Sequence, residues 1–233
     1  MESRRPLWNA QQSDLRVMLL KSDRFEEAMR ICLEQHSLVH SSEMSGVEVE
    51  TFEDELWRDL DSTTFKTAIG AKGRTIAYGI WHSTRIEDIT MNILVAGSNQ
   101  VIDSDNWITR INSNIYDTGN AMNAGEILAF SSNINMQELY KYRITVGRRT
   151  REIIQKFKPT DVKRKFDDIS LRKIFDIGAV SKNDAASWLV DFWGKKNVAG
   201  ILLMPVTRHH VVHINESLIA KSKANSKRSL KSS

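Results

Sequence analysis

Apolar residues recur at helical spacing along most of the chain, and this pattern predicts a largely helical protein. The segment "DRFEEAMRICLEQHSLVH" predicts a first long helix, with Asp23 as its capping residue and an end near Ser41. Four residues fall on one face of that helix: Phe25, Met29, Cys32 and His36.

A second long helix is predicted between Gly73 and Gly97. Within it, one His and three Ile are spaced 4, 3 and 4 residues apart: His82, Ile86, Ile89 and Ile93. At about 100° per residue, these four positions lie within roughly 60° of arc. The His82 side chain is therefore expected to point inward with the isoleucines.

Asn135 and Glu138 predict the start of a third long helix, which Pro159 stops. The residues between the second and third long helices, 98–134, are rich in Asn, Ser, Asp and Gly. They predict an ordered excursion with short helical pieces.

Two shorter helices are predicted within 161–175 and 183–194, the second capped by Ser181. The last helix is predicted to run from about Asn197, with Pro205 bending its axis just before a group of histidines.

These elements predict an all-α protein, a four-helix bundle with an irregular insertion between the second and third long helices. The 233 residues, 41% of them hydrophobic, fit a single domain over residues 1–220. The last stretch carries Lys and Arg without any acidic residue, so residues 221–233 are expected to form a basic, disordered tail.

No apolar run reaches the roughly 18 to 20 residues of a membrane span, and no signal peptide is recognisable, so we expect a cytoplasmic protein without membrane contact. The single cysteine, Cys32, excludes an internal disulfide and a Cys-rich zinc site. A metal ion would therefore be held by His and carboxylate groups. No basic stripe with interleaved aromatic residues is present, so nucleic acid is not an expected partner.

The stretch "TRHHVVHINES" supplies the candidate ligands. His209 and His213 have the i, i+4 spacing at which two imidazoles converge on one ion, and Glu216 falls on the same side of the helix. His210 with His213 is the alternative pair. The inward-facing His82 is the expected third ligand, which would leave positions open for water or substrate.

Two other interpretations of the histidines stay open. Buried imidazoles often serve only as core groups with one hydrogen bond each. His36 and His40 form a second i, i+4 pair, which would supply substitute ligands, line a cavity or place a cation at the end of a helix.

The segments "GIWHSTRIEDITMNILV" and "LLMPVTRHHVVHINES" resemble the DinB-like superfamily, which includes the YfiT-type metal-dependent enzymes. The resemblance extends from about Asp23 to Lys221. It implies an up-down-down-up four-helix bundle, often dimeric, with nickel or zinc bound by His82, His209 and His213. Where some members carry a further His, this chain has Val206, so His210 stays an alternate ligand.

The resemblance implies a metal-dependent hydrolase or thiol S-transferase that acts on a small electrophilic molecule, with a low-molecular-weight thiol as one substrate. Glu216 and Glu87 are the candidate general bases, and Asp88 and Asn215, together with Glu216, are candidate partners of the ligands. The rival hypothesis is a non-catalytic ligand-binding or dimerising bundle that has kept the scaffold.

Overall fold

The computed structural model of the chain describes residues 1–68 and 73–229, and the regular structure in these ranges is helical, apart from one isolated bridge between Lys165 and Asn197. The prediction of an all-α protein is therefore confirmed. The helices in chain order are α1 (Arg5–Met18), α2 (Phe25–Leu38), α3 (Ser42–Ser45), α4 (Phe52–Trp57), α5 (Ser62–Lys66), α6 (Ile76–Asp88), α7 (Trp107–Ile111), α8 (Ala124–Asn133), α9 (Met136–Ile154), α10 (Asp168–Asp176), α11 (Asp184–Gly194), α12 (Val198–Leu203) and α13 (His209–Ser229).

Helix α6 occupies the centre of the fold, where it packs against both α9 and α13. It continues as a π-helix over Ile89–Ala96 and ends at Gly97, whose φ of 62° is the left-handed conformation that glycine adopts readily. Every side chain from Ile76 to Val95 is buried. The predicted second long helix is thus confirmed, including its end and the inward direction of His82.

Asn135 caps α9 as predicted, because its side-chain oxygen accepts hydrogen bonds from two backbone N–H groups of the first turn. Two other predicted caps are wrong. Asn183, rather than Ser181, caps α11. Asp23 lies in a short 3₁₀ turn before α2, and the N-cap residue of α2 is Arg24, which makes no side-chain capping bond.

Where the sequence predicted a bend at Pro205, the structure has a π-helix over Met204–Arg208, between α12 and α13. Proline has no N–H, so a carbonyl of the preceding turn loses its helical partner. The Thr207 hydroxyl donates to the Leu202 carbonyl at 2.8 Å, and the Gln12 amide donates to the Leu203 carbonyl at 2.9 Å. These two carbonyls follow that of Ile201, the residue four positions before Pro205, and side chains supply a donor to each of the two.

Helix α13 continues through Ser229, so residues 221–229, which the sequence assigned to a disordered tail, are helical in the structure. The Lys221 ammonium anchors this stretch by donating to the backbone carbonyls of Glu55 and Leu56 at 3.2 and 3.1 Å. Residues 230–233 lie outside the described residues.

Two arginines lie in the core as partners of carboxylates. Arg85 is paired with Asp88 at 2.8 Å, and Arg143 is paired with Glu53 at 2.6 Å, all four side chains being almost fully inaccessible. Buried charges require such partners. The Arg143–Glu53 pair joins α9 to α4, whereas the Arg85–Asp88 pair lies within α6 and contacts α9 through the Tyr142 hydroxyl. None of the helices in the described ranges is both long and apolar enough to cross a membrane.

Candidate metal centre

His82 on α6 meets His209 and His213 on α13, as the sequence predicts. Each ring offers a nitrogen, and these three nitrogens all lie within 4.8 Å of one another. The centroids of the His82 and His209 rings are 5.1 Å apart, and those of His82 and His213 are 5.0 Å apart. The three imidazoles are therefore close enough to share one ion.

The protonation of His82 is set by the loop before α8. Its Nδ1 lies 2.9 Å from the Thr118 carbonyl oxygen, which can only accept, so Nδ1 carries the proton and Nε2 keeps its lone pair. The carbonyls of residues 116–118 accept, in turn, from Arg85, Trp81 and His82. Holding a ligand's second nitrogen on a backbone carbonyl is a common feature of metal sites. Sequence reasoning missed Thr118 because a main-chain acceptor leaves no residue-type signal.

The Nε2 atoms of His209 and His213 face each other at 3.2 Å. Two nitrogens bound to one tetrahedral zinc at about 2.0 to 2.1 Å lie about 3.3 Å apart, which is close to this separation. The spacing therefore fits a metal ion held between successive turns of α13.

Glu216 lies on the outer side of His213, with its carboxylate 3.4 Å from Nδ1 of His213 and 3.3 Å from the Arg74 guanidinium. The contact with His213 lowers the pKa of Glu216 to about 2. Partial burial opposes this shift, and the nearby Arg74 adds to it. Such a carboxylate is a weak base at neutral pH. Nδ1 of His213 has no hydrogen-bond partner among the described residues, so Glu216 contributes an electrostatic contact to this ring and not a hydrogen bond.

Burial favours the neutral form of two imidazoles of this centre, those of His82 and His209. It lowers the pKa of His82 to about 3, assisted by the neighbouring His213, and it lowers the pKa of His209 well below the usual range. A metal ion binds neutral imidazole, so these two rings are in the form that coordination requires.

A pocket of about 210 Å³ adjoins the centre. His82 and His209 reach its wall, and its other residues are mainly apolar, with Trp188 and Phe192 among them. A wider groove between the N terminus and the end of α13 contains none of the histidines. The smaller pocket can therefore bring a molecule to the imidazoles of His82 and His209.

His210 and Glu87 lie in a second buried group instead, together with His36 and His40. The Nε2 atoms of His36 and His40 are 2.8 and 2.9 Å from the two oxygens of Glu87. The Nε2 of His210 is 2.9 Å from Glu87 Oε2. These four side chains are inaccessible to solvent, and the ligand atoms of His36, His40 and Glu87 also lie within 4.8 Å of one another.

Both groups of side chains, the three-His centre and the His36–His40–Glu87 group, therefore have the donors and the spacing to hold a metal ion. The alternate ligand His210 is placed away from the three-His centre by the direction of its ring. His36 and His40 are buried, so the alternative of an exposed cation at a helix end does not describe them.

Two other residues with expected roles near the ligands lie elsewhere. The Asp88 carboxylate accepts from Arg85, Tyr142 and the backbone N–H groups of residues 101 and 102, and it binds the core together. The Asn215 side chain accepts from Arg5 at 3.3 Å on an exposed surface.

Cys32 has no role near either group. It is buried in the core, and burial raises the pKa of its thiol to about 12. The thiol is therefore an unreactive packing group, as its place on the apolar face of the first predicted helix suggests.

His40 packs against the backbone of α9 at Gly147. A Cβ atom at Gly147 would lie 2.9 Å from His40 Nδ1 and 2.8 Å from Met44 Cγ. We expect Gly147→Ala to lower the free energy of unfolding by about 1 to 3 kcal/mol through overpacking, although alanine favours helix. The measurement is urea denaturation followed by circular dichroism.

Gly79→Ala on α6 is the matched control, because its added Cβ would meet its nearest neighbour at an ordinary 3.4 Å. This variant is expected to be as stable as the wild type or slightly more stable. Equal stability of both variants would show that the close packing of His40 against Gly147 does not contribute to the stability of the protein.

In comparisons with known proteins, no family model matches this chain, and no curated protein matches it either. The resemblance to the DinB-like superfamily therefore remains a prediction from the two histidine-bearing segments.

Proposed function

We propose that this protein is a divalent-metal-dependent enzyme of the DinB-like type. Its substrate is a small electrophile, to which the enzyme transfers a low-molecular-weight thiol or which it hydrolyses. The observation that carries the proposal is the convergence of His82, His209 and His213 beside a pocket. The up-down-down-up connectivity and the homodimer that the resemblance implies belong to the same proposal.

His82, His209 and His213 would hold the ion, and nickel or zinc suits three imidazole donors. When bound, such an ion acts as a Lewis acid and lowers the pKa of a thiol or of water toward neutrality. Because three neutral imidazoles bring no negative charge, they do not offset the positive charge of the ion, which lowers the pKa of the thiol or water. The Thr118 carbonyl fixes the orientation of His82, and Glu216 lies beside His213 as a nearby negative charge.

The pocket supports a small substrate with an apolar part. Its volume of about 210 Å³ is below the roughly 300 to 1,000 Å³ of most sites for drug-sized ligands. Trp188 and Phe192 would hold the apolar part against the wall and exclude water from the reacting group. The described residues that line the pocket include no carboxylate, so in this proposal the ion activates the nucleophile.

The test uses untagged protein loaded with Co²⁺, to which a low-molecular-weight thiol such as glutathione is added. We expect a thiolate-to-cobalt absorption band in the wild type and its loss in His82→Ala. Arg208→Ala, an exposed change one residue before His209, is the matched control and should keep the band.

Cobalt binding that depends on His82, without any band for a series of thiols, would exclude thiol transfer and leave hydrolysis to be assayed with activated esters. Absence of His82-dependent metal binding would overturn the proposal and favour the rival, a non-catalytic bundle.

A further inference from the structure

The second buried group contains a negative charge that no cationic side chain balances. Among the described residues, five buried side chains carry a formal charge: Glu53, Arg85, Glu87, Asp88 and Arg143. Arg85 pairs with Asp88 and Arg143 pairs with Glu53, which leaves Glu87. The described ion pairs of Glu87 are all with imidazoles. A buried carboxylate requires a compensating cation or a proton.

The donors around Glu87 are those of a metal site. His36 lies in the last turn of α2 and His40 lies two residues past its end, and their ring centroids are 4.4 Å apart. Their Nε2 atoms are 2.8 and 2.9 Å from the carboxylate oxygens. Nitrogen and oxygen ligands of one ion, at bond lengths of about 2.0 to 2.2 Å, lie about 3 Å apart when the bond angle is near 90°. The observed spacing therefore suits coordination.

The hydrogen bonds of each ring decide which of the imidazoles can be a ligand. Coordination through Nε2 needs the ring proton on Nδ1. Nδ1 of His36 and of His40 is buried and accepts from no donor, so nothing prevents that form. Nδ1 of His210 faces the Arg143 guanidinium at 3.2 Å, which places the proton of this ring on Nε2. His210 is therefore a neighbour of Glu87 rather than a ligand.

His210 also does not neutralise or saturate the carboxylate. Its Nε2 is 2.9 Å from Glu87 Oε2, but the contact lacks hydrogen-bond alignment and leaves this buried nitrogen without a partner. A second proton on the ring would point at the Arg143 guanidinium. Glu87 Oε2 thus keeps a lone pair for another group.

We propose that His36, His40 and Glu87 bind a second divalent cation, separate from the three-His centre. Two imidazoles and one carboxylate suit Zn²⁺ or another first-row ion that favours nitrogen ligands. The ion would neutralise Glu87 and join α2 to α6 in the core. Because the three ligands are inaccessible to solvent, we expect it to enter during folding and to exchange slowly.

The experiment counts ions per chain by native mass spectrometry, with untagged protein produced in zinc-supplemented medium. We expect two ions in the wild type, one in Glu87→Gln and one in His82→Ala. Glu53→Gln is the matched control, since Glu53 is equally buried but paired with Arg143, and it should keep two ions.

Failure of this site and failure of the proposed function are distinguishable. A single wild-type ion that is lost in His82→Ala and kept in Glu87→Gln would overturn the second site. A single ion with the opposite behaviour would support the second site and remove the three-His centre.

Anomalous diffraction at the zinc edge from wild-type crystals needs no variant, so it serves if Glu87→Gln does not fold. A peak between His36, His40 and Glu87 is expected. Zinc-loaded crystals without that peak would overturn the proposal.

Discussion

Replacing His213 with alanine is expected to lower the affinity of the three-His centre for Zn²⁺ by more than about 100-fold. Removing a group that is hydrogen-bonded to a metal ligand typically lowers metal affinity about 10-fold to 100-fold. Losing one of only three protein ligands should lower the affinity by more than that. The affinity is measured by competition with a chromophoric chelator at pH 7. A Glu87→Gln background keeps the second group from contributing.

Two further variants calibrate this result. Glu216→Gln keeps the ligand and weakens only the carboxylate contact with His213, so its loss of affinity should be smaller. Arg208→Ala changes an exposed neighbour and should leave the affinity unchanged. Zinc affinity of His213→Ala equal to that of the wild type would show that His213 is not a ligand.

Asp88→Ala is expected to cause the largest loss of stability, about 4 kcal/mol or more. The carboxylate is fully buried and accepts hydrogen bonds from five donors: the Arg85 guanidinium, the Tyr142 hydroxyl, the Asn92 amide and the backbone N–H groups of Val101 and Ile102. Alanine would leave the Arg85 charge buried without its anion, and breaking such a pair costs about 3 to 5 kcal/mol. Urea denaturation gives the free energy of unfolding directly.

Asp191→Ala, on the exposed side of α11, is the control and should change stability by less than about 0.5 kcal/mol. Asp88→Asn should fall between the two, because it keeps one acceptor oxygen and presents a donor to Arg85. An unfolding free energy of Asp88→Ala within 1 kcal/mol or so of the wild type would contradict the assigned role in the core.

Periodicity located the long helices because their buried faces repeat every three to four residues. The same helical spacing predicted that the His82 side chain points inward and that His209 and His213 lie on one side of their helix. It gave no prediction for α1, whose buried residues are Trp8, Gln12 and Leu15. The buried face of α1 includes the polar Gln12, while the apolar Leu7 and Val17 are exposed, so apolar positions alone do not mark that face.

The roles of the two carboxylates on α6 were beyond sequence reasoning. Glu87 and Asp88 are adjacent, so they point about 100° apart and enter different networks, one with three imidazoles and one with Arg85 and Tyr142. Which network each one enters depends on α2 and α9, which are distant in sequence. For the same reason, the meeting of His36 and His40 with Glu87 could not be predicted from their spacing alone.

The three consecutive carbonyls of residues 116–118 have a consequence for how this architecture diverges. A peptide oxygen accepts the same hydrogen bond whatever side chain its residue carries. The orientation of His82 therefore places little constraint on residue identity in that loop, and distant relatives can preserve the ring's position while their loop sequences drift apart. Homology among such chains will be easier to detect by superposing their backbones than by aligning their sequences.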